Sequence, residues 1–229
     1  DGINVVYTGS ANDIQTSEQY RDVSAWYHFV FVLDTTNDIS TERVRLYKNG
    51  ERVTSFASIT YPSKDTTYTV NNTQAHYIGL RNSGENLDGY LAEINFVDGL
   101  ALDSSYFGET KNGVWIAKTP VVSNYGQNGY RLQMKQVGVG TAGTSTIGAD
   151  TSGNNNHFTS SGIDASDCAM PDSPENNFCT YNPLDAKGND NTFSEGNLKV
   201  VVAAQNTDDQ TRATFGVSSG KWYWEHRLN

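Results

Sequence analysis

Read for alternation of apolar and polar positions, the chain falls into short segments of period two, separated by Gly, Asn, Asp and Ser. The clearest is Leu91-Ala92-Glu93-Ile94-Asn95-Phe96-Val97, with an Asp-Gly pair on each side at Asp88-Gly89 and Asp98-Gly99. This pattern predicts a strand with Ala92, Ile94 and Phe96 toward a core and Glu93 and Asn95 on the opposite face. Ala25-Trp26-Tyr27-His28-Phe29-Val30-Phe31-Val32-Leu33-Asp34 is a continuous apolar and aromatic run. It is too short to span a membrane and too β-branched for a helix, so it predicts a central strand with His28 packed inside rather than serving as a ligand. Residues 43–47 and 52–56 flank Asn49-Gly50, whose preference for positive φ predicts a tight hairpin with Val44, Leu46, Val53 and Phe56 buried. Weaker strand signals lie at residues 3–7, 68–70, 76–80, 130–134, 198–203 and 213–217. Short apolar patches stand at 100–103 and 114–117, and the final segment 220–228 alternates so that Trp222 and Trp224 share a face.

Composition agrees with this reading. Of 229 residues, 36% are hydrophobic and 11% aromatic, with 21 Gly and 13 Tyr, and no window shows helical periodicity. All of this predicts an all-β protein. A net charge of -10 opposes binding to a phosphate backbone, which excludes nucleic acid as an expected partner. No apolar run is long enough for a membrane helix, so no membrane partner is expected either. The start, Asp1-Gly2-Ile3-Asn4, carries neither an initiator Met nor a signal-peptide pattern, and the sequence is read as an excerpt of a longer polypeptide.

Little in the sequence points to catalysis. There is no GxSxG elbow, no phosphate-binding glycine loop and no thiol with a His partner at a recognisable spacing. Cys168 and Cys179 lack the companions of a zinc site and are expected to be free thiols, with a disulfide closing the short loop between them as the alternative. Asp150-Thr151-Ser152-Gly153-Asn154-Asn155-Asn156-His157 is rich in oxygen ligands, but lacks the sixth-position Gly and twelfth-position acid of a calcium-binding EF-hand loop. It reads as a solvated turn; no cofactor is expected, and calcium has no specific motif behind it. Asn71 opens an N-x-T triplet that carries meaning only in a secretory pathway.

Ala25-Trp26-Tyr27-His28-Phe29, Val44-Arg45-Leu46-Tyr47-Lys48-Asn49-Gly50 and Asp88-Gly89-Tyr90-Leu91-Ala92-Glu93-Ile94 resemble, in order and spacing, the laminin G-like domains of the concanavalin A-like lectin/glucanase superfamily. The resemblance implies an antiparallel β-sandwich, a concanavalin A-like jelly roll, over residues 1–118, without the family's opening strands. Phe215-Gly216-Val217-Ser218-Ser219-Gly220-Lys221-Trp222-Tyr223-Trp224-Glu225 resembles the first strand of a SPRY domain. The expected organisation is therefore a sandwich at 1–118, a Gly/Asn/Ser-rich connector with one or two strands at 119–185, and the beginning of a second β-sandwich at 186–229. The order of these stretches, with 150–158, 172–178 and Gly196-Asn197-Leu198 between them, is similar to large virion proteins of marine tailed bacteriophages.

That resemblance implies an external virion location and a tail-fibre-like, non-enzymatic adhesion module. The implied partners are other virion proteins and a host-surface glycan or protein, with copies repeated as a homo-oligomer in the particle. A purely structural packing role is the rival. The superfamily also contains retaining glucanases, whose strand motif has three alternating carboxylates. Glu93-Ile94-Asn95-Phe96-Val97-Asp98 has lost the middle one, and Asp98-Gly99 reads as a turn, so no catalytic residue and no metal ligand is assigned. Tyr106, Trp115 and Tyr125 are aromatic candidates for sugar contact, but core packing accounts for each as well; the carbohydrate-binding residues are left unknown.

Overall fold

The computed structural model describes residues 2–7, 13–22, 25–72, 75–81, 85–87, 89–187, 191–202 and 210–228. Sixteen strands are seen: β1 (Asn4–Val5), β2 (Ile14–Thr16), β3 (Phe29–Leu33), β4 (Val44–Lys48), β5 (Glu51–Arg52), β6 (Phe56–Ile59), β7 (Leu80–Arg81), β8 (Glu85–Asn86), β9 (Ile94–Phe96), β10 (Gly108–Lys111), β11 (Val114–Ala117), β12 (Tyr130–Leu132), β13 (Tyr181–Lys187), β14 (Thr192–Ser194), β15 (Lys199–Val201) and β16 (Gln210–Ala213). Every strand pair among the described residues is antiparallel. The only helices among the described residues are three single 3-10 turns. The chain is all-β, as its alternation predicts.

Two three-stranded sheets, β1-β2-β6 and β3-β4-β5, form the principal packed unit. Their inner faces meet in one core, where Tyr7, Ile14 and Val44 are buried and Val5, Phe31, Leu33, Phe56, Ile59 and Tyr68 pack around them. Residues of both sheets in one apolar cluster define a sandwich. Register explains which side chains enter it: Phe31 lies opposite Leu46 and Leu33 opposite Val44. Tyr7 is held further by its hydroxyl, which donates to the Thr60 carbonyl, and its backbone N–H donates to Asp13 Oδ2 at 2.6 Å.

The Asn49-Gly50 turn forms as predicted, but its second arm is only Glu51–Arg52: Val53 is half-buried, and Phe56 belongs to β6, which pairs with β2 in the other sheet. Asn49 and Gly50 have positive φ, 47° and 86°, and they join β4 to β5 in the geometry that suits the right-handed twist of the strands. A second Asn-Gly turn, Asn112-Gly113 with φ of 54° and 81°, joins β10 to β11. The apolar run at 114–117 is thus one arm of a hairpin rather than an isolated patch.

Several expected strands are shorter or absent. The run at 25–34 is regular only over Phe29–Leu33, and β3 pairs with β4 alone, so it is an edge of its described sheet rather than a central strand. The segment at 91–97 narrows to Ile94–Phe96, because Glu93 turns into the left-handed region at φ 50° and cannot continue a pleat. Neither 68–70 nor 76–79 is strand, and only Leu80 at the end of that stretch enters a ladder. In the last third, β13 pairs with β16 and β14 with β15. The strand expected at 220–228 does not form: Trp222, Tyr223 and Trp224 are 60%, 82% and 72% exposed, with no partner strand beside them among the described residues. Aromatic alternation has nothing to pack on there. Asp88, Thr73 and Ala203 lie outside the described residues.

Hydrogen bonding continues past residue 118. β12, in the segment read as a connector, pairs with β9 through Tyr130 opposite Phe96, Arg131 opposite Asn95 and Leu132 opposite Ile94. Leu132 is fully buried and also bridges to Asp150. Its neighbourhood is rich in Gly, Asn and Ser because tight turns and side-chain-to-backbone bonds build it.

Candidate functional site

The β9-β12 pair carries the residues around which a site assembles. A row of rings crosses it: Phe96 stacks on Tyr130 with centroids 5.4 Å apart, Tyr130 meets Phe158 edge-on at 4.8 Å, and His76 lies against Phe96 at 6.5 Å. Burial pushes the Tyr130 hydroxyl pKa above its ordinary value. The row ties residues before 100 to residues beyond 150 and backs one wall of a broad cleft.

At the turn before β9, Glu93 forms a two-point ion pair with Arg131, with Oε2 to Nε and Oε1 to Nη2 both 3.2 Å. The two side chains are only 21% and 18% exposed, so the pair is partly desolvated and its geometry is well defined. Asn95 is committed elsewhere: its Oδ1 accepts from the Tyr125 hydroxyl at 2.8 Å and its Nδ2 donates to the Glu93 carbonyl at 3.1 Å. Asp98 accepts from Asn71 Nδ2 at 2.5 Å and from the Asn128 backbone N–H at 3.2 Å. Glu93, Asn95 and Asp98, the three positions of the glucanase-like pattern, thus each sit in a different hydrogen-bonded arrangement. Asn71, the first residue of the N-x-T triplet, also accepts from Asn128 Nδ2 at 2.9 Å.

The segment 150–158 supports the other side of β12. Asp150 is buried, and its carboxylate accepts from the backbone N–H groups of Arg131 (2.8 Å), Ser152 (2.8 Å) and Asn156 (2.9 Å) and from Ser152 Oγ (3.0 Å). Its own N–H donates to His157 Nδ1 at 2.9 Å. Burial alone would raise the Asp150 pKa, but these donors outweigh it and hold the carboxyl below its ordinary value. Asn154 and Asn156 both donate through Nδ2 to the Gly129 carbonyl, at 2.8 and 2.9 Å. Asn154 also reaches the Gly126 carbonyl at 2.6 Å, and Asn156 the Gln127 carbonyl at 3.0 Å. The segment is a turn with Thr151 and residues 153–155 exposed, as expected, but it is also tied to the chain beneath it, because Asp and Asn side chains here replace backbone partners of a non-repetitive loop. Its carboxylate oxygens point to N–H donors, not to a ligand set, and no group of three His, Cys, Asp or Glu suited to a metal occurs among the described residues.

The cleft beside this framework has a volume of about 1060 Å³. Glu93 and Arg131 line it, together with Trp26, Tyr77, Tyr90 and Phe158. Tyr77 is 68% and Tyr90 45% exposed. The Trp26 indole N–H is buried without an acceptor among the described residues. Non-glycine residues with positive φ are uncommon outside Asn and Asp, yet Glu93 (50°), Met134 (57°) and Ala169 (53°) all line this cleft. Elsewhere in the described chain only Glu195 (54°) shares that property. Backbone strain of this kind gathers where a structure is shaped for binding or catalysis.

Residues 2–104 match the family model of the concanavalin A-like lectin/glucanases superfamily. This part of the chain is similar to the concanavalin A-like domains. The match contains Trp26, Tyr77, Tyr90 and Glu93 but ends before Arg131 and Phe158, which complete the cleft. No curated protein and no solved structure matches the chain.

The aromatic candidates from sequence divide. Trp115 lies against Gly50 and Gly108, where a Cβ on either glycine would overlap its ring, and its Nε1 donates to His28 Nδ1 at 3.2 Å. Tyr125 is buried, and burial pushes its hydroxyl pKa upward. Both belong to packing. Tyr106 is 39% exposed and does not line the cleft. His28 is half-buried against Trp115, as a packed histidine should be, and burial pushes its pKa below the ordinary value. Cys168 and Cys179 are free, the first buried and the second exposed. No helix of the described residues is long and apolar enough to cross a membrane.

Proposed function

We propose that the chain is a non-enzymatic glycan-binding module whose ligand occupies the cleft between Tyr77, Tyr90, Trp26 and the Glu93–Arg131 pair. The observation that carries this reading is the coincidence, around one cleft of a chain with a concanavalin A-like match, of exposed aromatic side chains, a partly desolvated polar pair and left-handed non-glycine residues. Sugars present alternating apolar faces and hydroxyl rims, and such a wall complements both.

Hydrolysis is disfavoured on chemical grounds. A retaining glucanase needs two carboxyl groups roughly 5 Å apart, one protonated and one ionised. Glu93 is neutralised by Arg131, Asn95 carries no acid and Asp98 accepts two hydrogen bonds.

The sequence resemblance to virion proteins supplies the biological setting: an external tail-fibre-like component in which a SPRY-like module follows, and in which repeated copies turn weak glycan contacts into avidity. Screening the protein on a glycan array while assaying the same sugars for released reducing ends tests the reading. Binding without release is expected; sugar release that depends on Glu93 would replace it with the glucanase reading. Antibodies to residues 75–91 should block adsorption of the parent particle, and adsorption that is unaffected favours a purely structural virion role.

A further inference from the structure

Resting on the glycan-binding reading, we infer that the Glu93–Arg131 pair makes the cleft selective for neutral sugars with adjacent hydroxyls and against sulfated or uronic acid glycans. The two-point contact uses Nε and Nη2 of Arg131 and one lone pair on each Glu93 oxygen. The remaining guanidinium N–H groups and the second lone pair of each oxygen stay available. A hydroxyl both donates and accepts, so a vicinal pair can place one oxygen as acceptor for Arg131 while its neighbour donates to Glu93. The ion pair is kept, and neither charge is left desolvated alone.

An anionic glycan fits poorly. Carboxylate and sulfate groups offer acceptors only, so one seated on the free N–H groups of Arg131 gives Glu93 nothing to accept from and leaves that carboxylate facing a like charge. The rest of the described wall does not compensate. Lys118, Arg131 and Lys135 are its Lys and Arg side chains, and two are already paired, Arg131 with Glu93 and Lys135 with Glu175 at 3.3 Å. Asp167 and Asp172 add negative charge to the same wall, and the chain carries -10 in total. The pair is also fixed before any ligand arrives: Glu93 is held at positive φ, and the Arg131 backbone N–H is anchored on Asp150 at 2.8 Å. Pre-positioned donors and acceptors lower the ordering cost of binding.

Titration calorimetry on the intact chain tests this with laminari-, cello-, manno- and xylo-hexaose against an oligogalacturonate hexamer and a heparin hexasaccharide. Binding to at least one neutral hexaose and at least tenfold weaker binding to both charged sugars is expected. Glu93→Gln should weaken the neutral sugar about tenfold and narrow the gap to the charged ones, since Arg131 is then freed for an anion. Tyr77→Ala, at an exposed position where folding is not at stake, should weaken all binding. Charged sugars that bind as tightly as neutral ones overturn the selectivity while leaving glycan binding in place. No binding by any member overturns both. Unchanged affinity and selectivity in a folded Glu93→Gln variant also overturns the role of the pair.

Discussion

Asp150 is an acid folded into the interior as an acceptor for three backbone N–H groups, and its contribution follows from what would be left behind without it. Removing a buried acceptor strands its donors, at about 1–3 kcal/mol for each fully buried group and less where water can enter. Asp150→Ala should therefore lower unfolding free energy by roughly 2–4 kcal/mol, measured by urea titration. Because its folded pKa is depressed, its contribution is fully present above the unfolded value and is lost as pH falls through the folded one. Stability should accordingly decline below about pH 4, and Asp150→Asn should flatten that decline. His28 works in the same direction at a higher pH. Its depressed pKa and its Nδ1 acceptor role both require the neutral ring, so a further decline should begin below about pH 6.5 and be absent in His28→Gln.

At this scale the sequence was informative about His28 and uninformative about Asp150. A lone His in an apolar run has few outcomes besides packing. An Asp among Ser, Gly and Asn has two, hydration or capture of backbone N–H groups, and only the path of residues 126–131 selects between them. Arg131 was invisible as the partner of Glu93 for the same reason, since 38 residues separate them.

Among the elements, the two Asn-Gly hairpins converge on one indole. Gly50 at the first turn and Gly108 at the start of β10 both lie against Trp115, and His28 beside that turn accepts its N–H. The Asn49 backbone N–H and side-chain Oδ1 complete the join, bonding the His28 carbonyl and N–H at 2.8 Å each. Gly50→Ala combines an unfavourable φ of 86° with overlap on the ring. It should cost roughly 2–4 kcal/mol by thermal or urea unfolding, whereas Gly113→Ala, where nothing lies within 4 Å of the added Cβ, should cost only about 1 kcal/mol of backbone strain. Hairpins were legible in the sequence because Asn-Gly specifies its own conformation. Strands at 68–70 and 220–228 were over-read because alternation describes a surface that a strand needs but does not supply the neighbour to pair with. The strand at 91–97 was over-read at its start, where Glu93 leaves the pleat to meet Arg131.

Over the molecule, the cleft is assembled from the family-matched segment together with the chain that follows it. Residues 2–104 contribute the aromatic wall and Glu93; β12 and the segments after Asp150 contribute Arg131, Phe158 and the residues that hold them. The β9-β12 pairing and the ring row from His76 to Phe158 make that assembly one piece. The composition of residues 119–185 predicts a turn-rich connector with one or two strands, and β12 is such a strand; its pairing with β9 is invisible in the sequence because the two lie far apart in it. Hydrogen-deuterium exchange of the protein with and without its best-binding neutral hexaose tests the central claim most directly. Added protection should appear together at residues 76–81, 89–93, 131–135 and 158–163. Protection confined to another surface, such as 220–228, or absent from 131–135 while present elsewhere, would contradict the account.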